Sequence, residues 1–270
     1  MSIRLFNVPI DQVSEHQLDT LLRLWIKDHA QKMIVTPNPE MLLAARRDPS
    51  FLQVLQSSHL ALPDGVGLRF AAAALTDYPL RHRHTGVDTL ERLAQICEDY
   101  GKRLVLLGGR GESGRRTAIM LRDQFPDLDV VALDPGNVTV TETTTQIDPD
   151  AFLELSRLKP VVLAVAFGAG KQESFIHEHL GLLPTVTLAI GVGGALNMMS
   201  GELSRAPGFL RRTGFEWVWR VLREPSRIGR IMRATVVFPL IVAYDSLIEK
   251  RFLKALTRVA PEVARQLIGK

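Results

Sequence analysis

The chain has 270 residues, 46% hydrophobic and 23% charged, enough for one large domain with a buried core or a domain plus an appendage. A single cysteine, Cys97, excludes an internal disulfide and suits a reducing cytoplasm, where it reads as a buried structural thiol. The net charge of +4 is uneven: residues 205–270 hold 14 Lys/Arg against five Asp/Glu, so they carry +9 while the first 204 residues carry −5, a polarity that points the C-terminal part at an anionic surface.

The first residues, MSIRLFNVPIDQV, lack the basic start and long apolar run of a signal peptide. A helix is expected over 14–29, opened by the capping box of Ser14 and Gln17. Short apolar runs then alternate with helical patterns. Strands are predicted at 33–38, 59–65, 103–109, 129–133, 160–168 and 185–193, and helices at 39–47, 65–75, 87–100, 112–125, 149–158 and 171–182. The TETTTQ stretch, 141–146, reads as a polar loop. Continuous apolar strands separated by helices indicate an α/β fold, a Rossmann-like, mainly parallel sheet with helices on both faces. After Gly194 no buried strand is expected. Arg-rich helical segments follow at 214–223, 225–248 and 249–268, so the chain divides into a core, 1–205, and a basic helical appendage, 206–270. Its longest apolar stretch, 234–244, is about half a membrane span and contains Pro239.

Ligands of such sheets bind beyond the carboxyl ends of the strands. Five of the predicted strands end in polar or glycine-rich turns: Thr36–Glu40, Pro63–Gly67, Gly108–Gly114, Gly168–Glu173 and Gly191–Gly194. Gly109, Gly111 and Gly114, with Asp134 twenty residues on, outline a dinucleotide fingerprint. The same turn also suits any phosphate at a helix N-terminus, or plain close packing. Asp127-Leu128-Asp129 matches a metal-holding pair, but it precedes a strand and so belongs at the opposite edge, where it reads as a turn. His82 and His84 have no second cluster to complete a zinc site. Asp64, after an apolar strand and between Pro63 and Gly65, is either a turn aspartate or a general base. Thr36 and Asn38 are either turn caps or ligands of a sugar hydroxyl and the incoming nucleophile. Arg220, Arg223, Arg227 and Arg230 fall at helical spacing, as a solvated basic face or as a grip on phosphates. Trp217, Trp219 and the apolar stretch suit an interfacial segment or packing on the core.

The segments TPNPEML (36–42), LPDGVGL (62–68), Arg83-x-Thr85-Gly86-x-Asp88, LLGG (106–109) and FGAGKQE (167–173) come in a specific order. GVGGALN (191–197), RAP (205–207), GFEWVWR (214–220) and EPSRIGR (224–230) continue it. With these motifs the chain resembles the bacterial WecG/TagA/CpsF glycosyltransferases, glycosyltransferase family 26, over nearly its whole length. The resemblance implies an inverting transferase with no cofactor and no required metal. It implies transfer of N-acetylmannosamine, its uronic acid or a related hexose from a UDP-sugar donor to a polyprenyl-diphosphate-linked acceptor sugar, in cell-surface polysaccharide synthesis. Asp64 would be the catalytic base, with Thr36 beside it in the catalytic set. Asn38, Arg83, Gln172 and the glycine turns at Gly108, Gly109 and Gly193 would line the substrate pocket, and Arg220, Arg227 and Arg230 would meet the diphosphate. The implied partners are those two substrates and an anionic membrane surface, not nucleic acid, and a homo-oligomer is compatible with them. The implied location is cytoplasmic, peripheral on the inner face of the bacterial plasma membrane. The chain departs from the family pattern at Asn197, where aspartate is usual, and at Gly168-Ala169-Gly170, where Gly-x-Pro is common. Two other readings of the residues are an NAD(P)-dependent oxidoreductase built on Gly109–Gly114 and a non-enzymatic adaptor that uses only the basic tail.

Overall fold

The computed structural model describes residues 2–28, 30–141, 144–201, 228–249 and 251–268. It opens with a hairpin that the sequence reading did not anticipate, β1 (Ser2–Leu5) and β2 (Val8–Asp11), antiparallel and turning at Phe6 and Asn7 with positive φ. Its inward positions, Ile3, Leu5, Val8 and Ile10, alternate with exposed positions in β1 and half-buried ones in β2. Helix α1 (Glu15–Lys27) follows, and its capping box is present: Gln17 N donates to Ser14 Oγ and Ser14 N to Gln17 Oε1.

Six strands form one wholly parallel sheet: β3 (Lys32–Val35), β4 (Leu60–Ala61), β5 (Leu104–Gly108), β6 (Val130–Leu133), β9 (Val162–Ala166) and β10 (Leu188–Gly191), in the order β4-β3-β10-β9-β5-β6. These are the six expected strands. Each sends alternate side chains to opposite faces, and both faces are dry. Leu104, Leu106, Val162 and Ala164 join one apolar cluster, while Val105, Leu107, Leu163 and Val165 join the other. That is why their sequences are continuously apolar.

The first face is covered by α1, α5 (Gly86–Asp99), α6 (Ser113–Gln124) and α9 (Ala195–Met199). Cys97 of α5 is fully buried there, and burial pushes its thiol up to about 12. The other face carries the hairpin, α2 (Pro39–Arg47), α3 (Pro49–Gln56), α4 (Val66–Leu75), α7 (Pro149–Leu158) and α8 (Lys171–His179). The polar stretch 141–146 is no plain loop, because β7 (Thr139–Val140) pairs with β8 (Thr145–Gln146). Asp129 precedes β6 and pairs with Arg103 at 2.8 Å, away from the carboxyl edge of the sheet.

Beyond residue 227 the chain is helical: α10 (Ile228–Met232), a π turn at Arg233–Val237, α11 (Phe238–Ile248) and α12 (Phe252–Ile268). Helices α11 and α12 lie on α4, and Phe238, Val242 and Ala255 enter the same apolar cluster as the sheet. Four successive alanines, Ala71–Ala74, are buried in α4, and their small side chains let helices approach it closely. Ion pairs reinforce the seat: Arg69 with Glu262 at 3.0 Å, Arg251 and Arg258 with Asp77, and a two-pronged contact of Arg46 with Asp245. Arg258 also donates to Thr76 O, which ends α4, so its charge meets the negative end of the helix dipole.

Candidate active site at the carboxyl edge of the sheet

Along the middle of the sheet, from β3 through β10 and β9 to β5, neighbouring strands send their following helices to opposite faces. α6 leaves β5 for one face and α8 leaves β9 for the other; α2 and α9 diverge likewise from β3 and β10. Clefts open where connections diverge in this way. The turns gathered along that edge are the ones singled out in the sequence.

After β3, the Thr36 hydroxyl is buried and donates to Gly191 O at 3.1 Å, so it ties the ends of β3 and β10 together. Asn38 is the N-cap of α2, and its Oδ1 accepts from Met41 N at 3.0 Å. After β4, Asp64 N donates to Pro37 O at 2.8 Å, which places the half-buried Asp64 against the Thr36–Asn38 turn. Gly65, with φ of +92°, then turns the chain into α4. His84 N donates to Pro63 O at 3.2 Å, which brings the Arg83–Gly86 segment to the same place, with Arg83 exposed. Asp64 and Arg83, far apart in sequence, thereby share one rim.

The turns after β9 and β10 are bound into one buried frame. Gln172 is 2% exposed. Its Oε1 accepts from Gly168 N at 3.2 Å and Gly193 N at 2.9 Å, while its Nε2 donates to Glu173 Oε1 at 2.7 Å. Glu173 is fully buried, and its Oε2 accepts from Gly170 N at 2.7 Å. Burial pushes its carboxyl up to about 7 against the pull of those hydrogen bonds. Gln172 therefore stands under the edge as a brace rather than beside Arg83 on the rim. Glu173 was overlooked in the sequence reading, although its place next to Gln172 at the start of a helix was the available signal.

The Gly109–Gly114 turn has packing reasons for two of its glycines. Gly109 adopts φ of +103°, and a side chain on Gly114 would meet Gly108 O at 2.7 Å, so α6 runs close against β5. Ser113 at the head of α6 is fully buried, and its Oγ has no hydrogen-bond partner among the described residues. Asn197 of α9 accepts from Arg110 N at 3.3 Å, a contact that a neutral amide makes without charge. Of the tail arginines, Arg220, Arg223 and Arg227 lie outside the described residues. Arg230 is described only as part of the α10 backbone.

A model of the glycosyl transferase WecG/TagA/CpsF family matches residues 3–252. The chain belongs to this family. Among curated relatives, an N-acetylglucosaminyldiphosphoundecaprenol N-acetyl-beta-D-mannosaminyltransferase of Bacillus subtilis (strain 168) is 29% identical over 215 residues, 80% of each chain. A protein of the same description from Bacillus spizizenii is 30% identical, covering 74% of each chain. Another from Staphylococcus aureus (strain MRSA252) is 29% identical over 73% of this chain and 74% of its own. It is the family match, and not the glycine-rich turn after β5, that weighs toward sugar transfer and away from hydride transfer. The family match also runs through α10 and α11, so it takes in helices seated on α4 as well as the sheet.

Proposed function

We propose that this family member moves a hexose, N-acetylmannosamine or a close relative, from a UDP-sugar to a sugar on a polyprenyl diphosphate, with inversion and without a metal. The relatives' names supply the sugar and the acceptor class. The observation that carries the reading is the hydrogen bond from Asp64 N to Pro37 O, which sets a carboxylate beside the Thr36–Asn38 turn at the edge where ligands of such sheets bind. In this mechanism Asp64 takes the proton of the acceptor hydroxyl. The oxygen forms a bond to the anomeric carbon from the face opposite the leaving group, and the bond from that carbon to the UDP oxygen breaks. Arg83 and the tail arginines Arg220, Arg227 and Arg230 neutralise charge growing on the departing diphosphate, the electrostatic work a metal would otherwise do. The glycine turns at Gly108, Gly109 and Gly193, with the head of α6, offer backbone amides to the donor phosphates. Asn38 orients a sugar hydroxyl through the part of its amide that does not cap α2. Thr36 and Gln172 hold the edge in shape.

The same reading assigns residues 206–270 as an appendage that meets the inner face of the membrane, where the acceptor lipid lies. Ile228, Met232, Val236, Leu240, Tyr244 and Ile248 recur every four residues along α10, the π turn and α11, and all are exposed. An exposed apolar stripe on a strongly basic segment suits an anionic bilayer surface. No helix among the described residues is long and apolar enough to cross a membrane. The test is transfer from UDP-N-acetylmannosamine and other UDP-hexoses to a soluble polyprenyl-diphosphate-sugar analogue, with Asp64→Asn as the control. Turnover of one such donor that collapses in the control supports the reading. Transfer left intact by that substitution removes Asp64 as the base.

A further inference from the structure

A cavity of about 340 Å³ opens where α2 meets the carboxyl edge, and the mechanism above makes no use of it. Helix α2 lines it with Glu40, Ala44 and Arg47, and the Ala169–Gly170 turn after β9 and Arg233 of the π turn line it too. Met41, Leu43 and Phe51, all buried, supply the apolar part of the lining. The turn after β9 leaves room beside it: Gly170 holds φ of +89°, and a Cβ placed there would meet nothing within 4 Å. The volume stands at the small end of ligand pockets, roughly 300–1,000 Å³, and suits one sugar ring rather than a whole nucleotide.

Charge narrows the occupant. Glu40 pairs with Arg233 at 3.8 Å, and Arg47 is offset by Asp48, whose carboxylate caps α3 by accepting from Ser50 N and Phe51 N. A diphosphate entering here would gain two guanidiniums but also meet two carboxylates, which cancels most of the attraction. A neutral ligand rich in hydroxyls loses nothing by that balance, because a hydroxyl donates to a carboxylate and accepts from a guanidinium. The apolar lining suits the C–H face of a pyranose.

Position narrows it further. Glu40 lies in the first turn of α2, two residues beyond the N-cap Asn38. Pro39, between them, packs on the turn that follows Asp64: a Cβ on Gly67 would meet Pro39 Cγ at 2.7 Å. The cavity thus adjoins the carboxylate assigned as the base. Helices α2 and α6 cover opposite faces of the sheet, so the cavity lies on the other face from the glycine turn assigned to the donor phosphates. Inversion needs the acceptor oxygen to arrive from the side opposite the departing UDP, and a separate seat for the acceptor meets that need.

We propose that this cavity is the subsite for the sugar of the acceptor, an N-acetylhexosamine, with Glu40 accepting from its hydroxyls and Arg47 and Arg233 donating to its oxygens. The inference rests on the transferase reading and adds where the second substrate sits. The reacting hydroxyl faces Asp64, and the diphosphate leads away past Arg233 toward Met232 and Val236, both exposed apolar positions.

The experiment uses the full-length protein and two soluble probes, N-acetylglucosaminyl diphosphate on a short prenyl tail and the same prenyl diphosphate without the sugar. Calorimetry on wild-type protein is expected to show the sugar-bearing probe binding ~10-fold tighter, the scale of one hydrogen bond to a charged group. Ala44→Phe, at an exposed position of α2, fills the cavity. It should bring the two probes to one affinity and raise KM for the acceptor ~10-fold, with KM for the UDP-sugar unchanged. Glu40→Gln should weaken the sugar-bearing probe ~10-fold and leave the bare one as it was. Where a thermal melt shows Ala44→Phe unfolded, Glu40→Gln decides. Equal binding of the two probes by wild-type protein overturns the subsite. Equal weakening of both probes in the folded variants also overturns it and gives the cavity to the phosphates. A sugar preference that survives both substitutions, or a rise in KM for the UDP-sugar instead of the acceptor, overturns it as well. If wild-type protein transfers from no UDP-sugar, the transferase reading fails, and calorimetry alone decides the subsite.

Discussion

The two halves of the carboxyl edge are built on opposite terms. Around β9 and β10, Gln172 and Glu173 are buried and spend their polar atoms on the backbone of Gly168, Gly170 and Gly193. Around β4, Asp64 is half-buried and Arg83 is exposed, and their loop is held by backbone and by the His84 ring instead. A buried polar network with every member satisfied rigidifies its surroundings. A carboxylate and a guanidinium reached by solvent can take a proton or meet a phosphate. The contrast teaches a division between a buried, bonded platform on one side and solvent-reached charged groups on the other.

Substitutions can break that contrast, and they rank by expected effect. Asp64→Asn should cut turnover by ~10²-fold or more, the scale of acid–base catalysis, while thermal melts stay near wild type because the amide keeps the size of the side chain. Gln172→Ala should act through the platform. It takes the acceptor from two backbone N–H groups and the amide donor from buried Glu173, and chemical denaturation should show a loss of roughly 2–4 kcal/mol. A denaturation midpoint unchanged from wild type would mean the brace is dispensable. Glu173→Gln sharpens the comparison through pH. The Glu173 carboxyl is pushed up to about 7 in the fold from an ordinary 4.5, so between those values the folded chain holds a proton that the unfolded chain has released. Glu173 therefore takes stability away as pH rises through that window, and the variant should lack this decline in melts between pH 4.5 and 8. Arg83→Ala should have the smallest effect on folding, within about 0.5 kcal/mol for an exposed side chain. It should raise KM for the UDP-sugar, measured by initial rates, and equal KM values would take Arg83 out of the donor site.

The sheet was legible in the sequence because each strand is buried on both faces and reads as an unbroken apolar run between turn residues. The hairpin at 2–11 was missed for the opposite reason. Its alternation of Ile3, Leu5, Val8 and Ile10 is short, and Phe6-Asn7 lacks the glycine that usually marks such a turn. The helix at 65–75 was legible, but the size of Ala71–Ala74 gains meaning only once α11 and α12 are seen lying on it. In the site, turn chemistry gave away the strand ends and the motif order gave away the family. One partner of Gln172 Oε1 lies 21 residues off at Gly193, and that of His84 Nε2 lies 71 residues back at Val13. Contacts at such separation leave no local periodicity to read, so the buried bonding of Gln172 and His84 shows only in the fold.

Helix α4 begins two residues after Asp64 and is pinned along its length by Arg69 to Glu262 and at its far end by Arg258. Ten residues of helix make a rod about 15 Å long, stiff on the scale of a side chain. Phe238 packs beside Gly67 and Pro39 at its near end. The same rod thus has the proposed base at its tip and the C-terminal helices along its flank. A load on those helices would reach Asp64 through α4, so under the proposed function docking and chemistry would share a mechanical linkage as well as a chain.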